Sequence, residues 1–218
     1  MLVLAVLAVT SVGFITDRAE RALAMEANRL LGGDAVVRAD EAVGGDIRRA
    51  LGAPGLRHTE TRELNTMIRV ASADGERLQL GDLRALGEGY PLRGSYRVTT
   101  AARTDVHDAT GIPARGTAWI SRAGADRLGA RLGDTLLVGE SSLKLVALVA
   151  QEPDAALDYF DVAPKVFLNL ADLPATGLVQ EGSRIRHRLV VAGDATAVER
   201  FVRQVRPALG RGQRLETI

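Results

Sequence analysis

The chain has 218 residues, of which 46% are hydrophobic and 25% are charged, and its formal net charge is +1 at pH 7. These fractions are typical of a folded globular domain, and the balanced charge gives no basis for a nucleic-acid-binding function. Because the chain has no cysteine, disulfide bonds and thiolate metal sites are excluded.

The chain begins with an apolar run, residues 2–15, which contains no charge and continues into a helix-prone segment, residues 16–31. A helix over the run reaches roughly 21 Å, whereas the hydrocarbon of a bilayer is roughly 30 Å thick. We therefore expect the outer end of a transmembrane helix whose inner part lies upstream of Met1, with a signal sequence or a buried core helix as the alternatives. Its membrane residues would be Leu2, Val3, Leu4, Val6, Leu7, Val9, Val12, Phe14 and Ile15.

The segment that follows predicts a strand, a helix and a second strand. Residues 34–40 alternate between apolar and polar positions, and a short helix is expected over residues 44–51. Residues 57–71 predict one long strand, closed by a turn at Asp74-Gly75. One face of that strand would carry Leu64, Thr66, Ile68 and Val70.

The middle of the chain predicts a β-rich segment. A helix is expected over residues 122–131, and residues 139–142 predict a hairpin turn. Prolines at positions 153, 164 and 174 predict loops instead of paired strands in the later part. Short strands are expected near residues 76–83, 95–100, 117–121, 135–138 and 143–150.

The last segment repeats the order strand, helix, strand. Residues 184–191 alternate between arginine and apolar side chains, which predicts a strand with one buried face and one wet face. Thr196 and Glu199 fit a capping box for a following helix, which Gly210 and Gly212 would end. Residues 213–218 predict a final strand. The apolar stripe of the helix would contain Val198, Phe201, Val202, Val205 and Leu209.

Together the two ends predict an α+β fold. Each end has the order β-α-β, which is that of a split ferredoxin-like domain formed by residues 32–74 and 180–218. Residues 75–179 would then be an inserted β-rich subdomain. Residues 1–31 would form the end of the membrane helix and its extension outside the membrane.

Several segments occur in an order that is specific to one family. After the apolar run come residues 14–23, residues 89–94 (Gly-Tyr-Pro-Leu-Arg-Gly) and residues 132–139 (Leu-Gly-Asp-Thr-Leu-Leu-Val-Gly). This set resembles the extracytoplasmic domain of FtsX-like, MacB-type (type VII) ABC transporter permeases. Residues 163–178, followed by residues 182–184, resemble more narrowly the YbbP-like subgroup.

The resemblance implies a location and a set of partners. The domain would lie in the periplasm, between the first and second helices of a permease in the bacterial inner membrane. Its two ends would form a porter-like part and its middle a sabre-like part. A full permease would have four membrane helices and would pair with a cytoplasmic ABC ATPase subunit and a second permease copy.

The expected function is mechanical and non-catalytic. If residues 2–31 form one rod of about 45 Å, movement of the membrane helix would tilt the outer domain. The resemblance implies that this ATP-driven movement acts on a hydrophobic, lipid-related or lipid-modified cargo, or on a periplasmic partner protein. The alternatives are a singly anchored periplasmic binding or adaptor protein and a membrane-tethered hydrolase.

No motif for catalysis or for a cofactor occurs in the sequence. Neither Lys144 nor Lys165 follows the glycines of a Walker loop, and no serine lies in a Gly-x-Ser-x-Gly elbow. His58, His107 and His187 are too scattered for a local metal pair. We therefore expect no catalytic residue, no cofactor and no metal.

Two histidines are candidate sites. His187 lies on the apolar side of its strand, where a hydrogen-bonded core histidine is favoured over a ligand or a base. His107 lies between Asp105 and Asp108, where a solvated loop is favoured over a metal or general-base site.

Two groups of residues are candidate contacts for cargo or a partner. Arg184, Arg186 and Arg188 would suit an anionic lipid head group, although an exposed sheet face explains the row equally well. Tyr159 and Phe160, in a proline-bounded loop, would suit an apolar partner contact, although packing against a satellite core is favoured.

Overall fold

The computed structural model describes residues 31–72, 75–154 and 163–217. The predicted membrane residues 2–15, the predicted extension up to residue 30, and Tyr159 and Phe160 lie outside these ranges. Among the described residues, no helix has the length and apolar character needed to cross a membrane.

The described chain contains eleven strands, three α-helices and two 3₁₀ helices. The helices are α1 (Gly45–Ala50), α2 (Arg122–Leu128) and α3 (Ala195–Val205), and the 3₁₀ helices are Leu170–Thr176 and Arg206–Ala208. The strands are β1 (Ala35–Ala39), β2 (Leu56–Ser72), β3 (Gly75–Leu86), β4 (Arg97–Thr100), β5 (His107–Asp108), β6 (Thr117–Ser121), β7 (Thr135–Val138), β8 (Ser141–Gln151), β9 (Lys165–Asn169), β10 (Arg186–Gly193) and β11 (Gln213–Thr217). The predicted mixture of helices and strands is confirmed, and the strands form a large mixed sheet.

The two ends of the chain form one antiparallel sheet, which we call the helix-covered sheet. Its strands lie in the order β11, β1, β10 and β2. The α1 and α3 helices cover one face, where Ile47, Phe201 and Val205 pack against Val37 and Leu189. Because Ala35 pairs with Thr217, the first and last strands place their outer ends side by side.

The predicted wet face of β10 is confirmed at Arg186, which is exposed, and is wrong from Arg188 onward. Its residues 188–192 are all buried. Leu189 faces the helices, whereas Val190 packs on the opposite face with Val36 and Tyr90. The sheet is therefore covered on both faces, so apolar residues occupy successive positions and the simple alternation is lost.

The middle of the chain closes into a barrel of six strands. The β2 strand pairs with β3 and β7, β7 pairs with β8, and β8 pairs with β6. The β9 strand completes the ring between β6 and β3. Buried side chains from every one of these strands fill the interior, among them Ile68, Leu83, Ile120, Leu136, Leu145 and Val166.

The prediction of loops in the later part of the middle segment missed β9. Pro164 lies just before its first residue, a position at which proline does not interrupt a ladder. The Pro164 carbonyl oxygen accepts a hydrogen bond from the Asp82 amide at 2.8 Å. The strand is short and apolar, and it runs parallel to β3, which is distant in sequence.

The predicted capping box is also wrong. Asp194 is the N-cap of α3, so Thr196 lies inside the first turn, and no side chain caps the helix. Burial of Ala197, Phe201 and Val205 stabilises the helix instead. The helix ends at Val205 and not at Gly210, and the predicted α2 likewise stops early, at Leu128.

An aromatic cluster fills the space between the helix-covered sheet and the barrel. The ring of Tyr96 lies 5.2 Å from that of Phe167 and 5.7 Å from that of Trp119, in tilted arrangements that aromatic pairs prefer. Val36 and Val190 contribute from the sheet side. The two parts of the molecule therefore share a buried interface.

The hairpin turn predicted over residues 139–142 joins β7 to β8. Gly139 has a φ of +57°, and its neighbour Glu140 donates a backbone hydrogen bond to the Thr176 carbonyl oxygen at 2.8 Å. A Cβ at Gly139 would overlap that same carbonyl oxygen. The glycine therefore lets the 3₁₀ helix Leu170–Thr176 dock on the barrel.

We predict that Gly139→Ala destabilises the chain by about 1–3 kcal/mol more than Gly116→Ala, because only the first substitution adds a steric overlap. Gly116 is the matched control, with a φ of +75° and open space around its Cβ position. Urea unfolding of both variants measures the difference. Equal losses would show that the docking contact at Thr176 does not constrain this turn.

Candidate functional site

The described chain enters β1 through a junction of hydrogen bonds. The Gly32 carbonyl oxygen accepts from the backbone amides of Leu92, at 2.9 Å, and Arg93, at 3.0 Å. The Asp34 carboxylate accepts two bonds from the Arg93 guanidinium, at 3.0 and 2.9 Å, and one from the Gly193 amide at 2.9 Å. We call these five residues the junction; they fix the start of β1 to two distant parts of the chain.

The loop over residues 87–94 carries Leu92 and Arg93, and its contacts with Gly32 and β2 hold these two residues at the junction. The Tyr90–Pro91 peptide bond is cis, and Tyr90 is buried against Gly32. Thr59 donates a hydrogen bond to the Glu88 carbonyl oxygen at 2.8 Å, which ties the loop to β2. The Gly-Tyr-Pro-Leu-Arg-Gly segment noted in the sequence therefore has a structural role at the junction.

A network of ion pairs lies beside the junction, between the helix-covered sheet and the barrel. Its cations and carboxylates come from β10, β2, β3, β9 and the segment that follows β8. We call this group the ion-pair network; its members are Arg84, Arg188, Lys165, Glu63, Glu152 and Asp154.

Arg188 is the member that reaches the junction. Its side chain is only 3% exposed, and its Nη1 atom lies 2.6 Å from Asp154 Oδ2 and 3.2 Å from Glu63 Oε1. Its Nη2 atom donates to the Leu31 carbonyl oxygen at 3.5 Å. One guanidinium therefore connects Leu31, the long strand β2 and the segment that follows β8.

Arg84 completes the connection on the barrel side. Its Nη2 lies 2.7 Å from Glu63 Oε1, and its Nη1 lies 2.8 Å from Asp154 Oδ1 and 3.2 Å from Glu152 Oε2. Lys165 Nζ pairs with the other Glu152 oxygen at 3.4 Å. Three cations and three carboxylates thus balance one another in a largely buried space, which is the condition under which buried charges are tolerated.

The pKa values of the three carboxyl groups are not all shifted in the same direction. Burial opposes ionisation of Asp154, but Arg84 and Arg188 outweigh it and hold the pKa of this carboxyl well below its usual range. Glu63 follows the same pattern, with its pKa lowered by Arg84, Arg188 and Arg186 against the effect of burial. Burial dominates at Glu152 and raises its pKa, since Arg84 and Lys165 only partly offset it.

The structure separates the predicted arginine row. Arg184 precedes β10 and is exposed, Arg186 is exposed within the strand, and Arg188 is buried in the ion-pair network. The interpretation of an exposed sheet face is therefore wrong for Arg188. Arg186 and Arg188 both line one cleft on the helix-covered sheet.

The two candidate histidines lie apart from each other. His187 is half-buried in β10, so the predicted core position is wrong, and burial together with Arg62 lowers its pKa. His107 lies in β5 and not in a loop, with its Nδ1 atom 2.9 Å from the Asp105 carbonyl oxygen. In the described ranges, no group of side chains is arranged to hold a metal ion.

Sequence reasoning missed the central members of the network. Arg84 lies between Leu83 and Ala85, within an apolar run, and a charge in such a run is a signal of a buried pair. Its partner Asp154 is 70 residues away, and such a separation gives no local pattern.

No protein-family model matches the chain. Over 211 residues, or 97% of the chain, it is 28% identical to the ABC transporter permease YbbP of Escherichia coli strain K12. The chain spans 25% of the length of that relative. The family resemblance predicted from the sequence is thereby confirmed.

Two solved structures have a similar fold. The periplasmic region of MacB from Actinobacillus actinomycetemcomitans gives a TM-score of 0.52 with 11% identity, covering 87% of this chain and 91% of that chain. The extracellular domain of YknZ, a noncanonic ABC-type transporter from Gram-positive bacteria, gives 0.51 with 10% identity, covering 84% and 100%. At these identities the likeness is one of fold.

We predict that Asp154→Asn destabilises the chain by about 3–5 kcal/mol at pH 7, because it leaves Arg84 and Arg188 without their shared carboxylate. The native stability should fall as the pH drops below the ordinary aspartate value of 3.8, since the unfolded chain then binds a proton that folded Asp154 resists. The variant should lose less stability over that acid range. Urea unfolding at several pH values measures both effects.

Asp105→Asn is the matched control, because it removes one carboxylate from the exposed Arg103–Asp105 pair. Its stability should stay close to that of the native chain. If the two variants unfold alike, or if Asp154→Asn keeps the full acid dependence, the ion-pair network does not stabilise the interface.

Proposed function

We propose that this chain is the extracytoplasmic domain of an ABC transporter permease and that it converts movement of a membrane helix into movement of the whole outer domain. The observation that carries the proposal is the junction. Gly32 and Asp34 fix the chain that arrives from the predicted membrane helix to both Arg93 and Gly193. Force applied at residue 31 would therefore reach the sheet and its neighbouring loop together.

The placement of the chain ends supports the proposed position between two membrane helices. Ala35 and Thr217 are directly opposed in neighbouring strands, so the chain enters and leaves the domain at one end of the helix-covered sheet. Such adjacent ends are what a domain inserted into a longer chain requires. The likeness to YbbP along nearly the whole chain supports the same assignment.

The two parts of the molecule fit the roles that we assign to them. The helix-covered sheet, with the order β11, β1, β10 and β2 and its two helices, supports the split ferredoxin-like, porter-type part. The barrel and its attached strands would be the sabre-type part. The β2 strand runs through both, pairing with β10 at its start and with β7 near its end, so the parts would move together.

The partners follow from the proposed family role. A cytoplasmic ATPase subunit would hydrolyse ATP, and two permease copies would face each other in the inner membrane, with this domain in the periplasm. The domain itself would perform no catalysis. Its work would be to hand over or extract a hydrophobic or lipid-related cargo, or to move a periplasmic partner protein.

The test uses the full-length permease assembled with its ATPase. This domain has no cysteine, so in an assembly whose remaining cysteines have been replaced, Arg131→Cys provides a single spin-label site in each copy on an exposed part of the barrel region. We predict that the distance between the two labels differs between the ATP-bound and nucleotide-free states. A Gly-Pro insertion after Leu23 should abolish the difference, because it would break the rod, and Arg93→Gln should reduce it by loosening the junction.

Arg103→Gln is the matched control, since it removes an equally bidentate but exposed ion pair away from the junction. It should leave the nucleotide-dependent difference intact. Electron–electron double resonance measures the distances. An unchanged difference in the Gly-Pro variant would contradict transmission through the N-terminal segment, and no difference in the native assembly would contradict the proposed function itself.

A further inference from the structure

A cleft of about 320 Å³ lies on the helix-covered sheet and is lined by four arginines. Arg38 is directly opposite Arg188 in β10 and Arg214 in β11, so these three side chains form a row across neighbouring strands. Arg186 lies two residues before Arg188 and shares its face. Like charges that are directly opposed on a sheet destabilise it, so this row has an energetic cost when nothing neutralises it.

The carboxylates around the cleft leave part of this charge unpaired. Arg38 pairs with Glu216 at 2.9 Å, but Arg186 reaches Glu63 only at 3.7 Å, and Glu63 already pairs with Arg84 and Arg188. Within the described ranges, Arg214 forms no ion pair. Asp40, at the edge of the cleft, is the one further carboxylate among its described lining residues.

Arg188 adds a buried cation with an unsatisfied N–H group beside the cleft. Its side chain is almost fully buried, yet its Nε atom has no hydrogen-bond partner among the described residues. A buried N–H group without a partner costs about 1–3 kcal/mol, and such groups in folded proteins are commonly paired with a bound ligand or water. The Nε atom itself has almost no accessible surface, so a ligand in the cleft would contact the exposed Arg38, Arg186 and Arg214 and would lie above Arg188.

The arginines of the cleft indicate the chemical class of ligand that it would bind. Planar guanidinium groups present forked donors that match the oxygens of phosphate, and several of them together favour an anion with more than one charge or several exposed oxygens. The cleft's excess positive charge disfavours a cation. Its charged lining disfavours a purely apolar ligand.

We infer that this cleft binds the phosphate group of an anionic ligand, with Arg38, Arg186 and Arg214 as its contacts and Arg188 at its floor. The inference is independent of the movement proposed above. The cleft lies beside Arg38 and Ala39, the last residues of β1, and none of the five junction residues is among its described lining residues. The phosphate could belong to a soluble phosphate ester or to the head group of a single lipid molecule, and the experiment separates these two sources.

The experiment is isothermal titration calorimetry on the full chain in a maltoside detergent, which carries no phosphate. The probes are inorganic phosphate and glycerol 3-phosphate for a soluble ligand, and dihexanoylphosphatidylglycerol below its micelle concentration for a lipid. We expect saturable binding that Arg214→Gln and Arg186→Gln each weaken about tenfold or more, which is the usual loss for a charge-assisted hydrogen bond. Both arginines are exposed, so the variants should fold.

Arg57→Gln is the matched control, because Arg57 is exposed on β2 of the same sheet and lies outside the cleft. It should leave binding unchanged. Binding of the two soluble probes would assign a soluble ester, and binding of the lipid probe alone would assign a lipid. The inference is overturned if no probe binds at millimolar concentration, or if Arg57→Gln weakens binding as much as Arg214→Gln does.

Discussion

The buried contact of Arg188 with Asp154 and Glu63 is the constraint on which the arrangement of the molecule depends. A guanidinium that is 3% exposed must have its charge balanced, and the two carboxylates come from separate parts of the chain. Pairing this one side chain with both carboxylates therefore brings together β10, β2 and the segment that follows β8. Arg188 also donates to the Leu31 carbonyl oxygen, so the same side chain contacts the first described residue of the chain.

Two further features make the helix-covered sheet and the barrel a single mechanical unit. The β2 strand passes through both without interruption, and the aromatic cluster around Tyr96 fills the space between them. A hinge between the two parts would have to expose these rings and separate the charges of the ion-pair network. The proposed movement is therefore a rotation of the whole domain about the junction, and not a flexing within it.

The sequence predicted the elements that show a clear period or turn signal. The long strand β2 and the β-α-β order at both ends were found because their apolar positions repeat locally. The β9 strand and the buried face of β10 were missed, since each is covered on both sides and so lacks alternation. At the candidate site, Arg186 and Arg188 were singled out, but Arg38 and Arg214 join them only through strand pairing, which no local pattern specifies. The predicted roles of Tyr159, Phe160 and the membrane segment stay predictions.

The most direct measurement of the central claim is native-state hydrogen exchange at the Leu92 and Arg93 amides, which donate to Gly32. These amides do not contact Arg84, the member of the ion-pair network on the barrel side. If the network and the junction form one cooperative unit, Arg84→Gln should speed exchange at both amides, while Arg103→Gln should not. Unchanged protection at Leu92 and Arg93 in Arg84→Gln, with faster exchange confined to β3 and β8, would contradict the account.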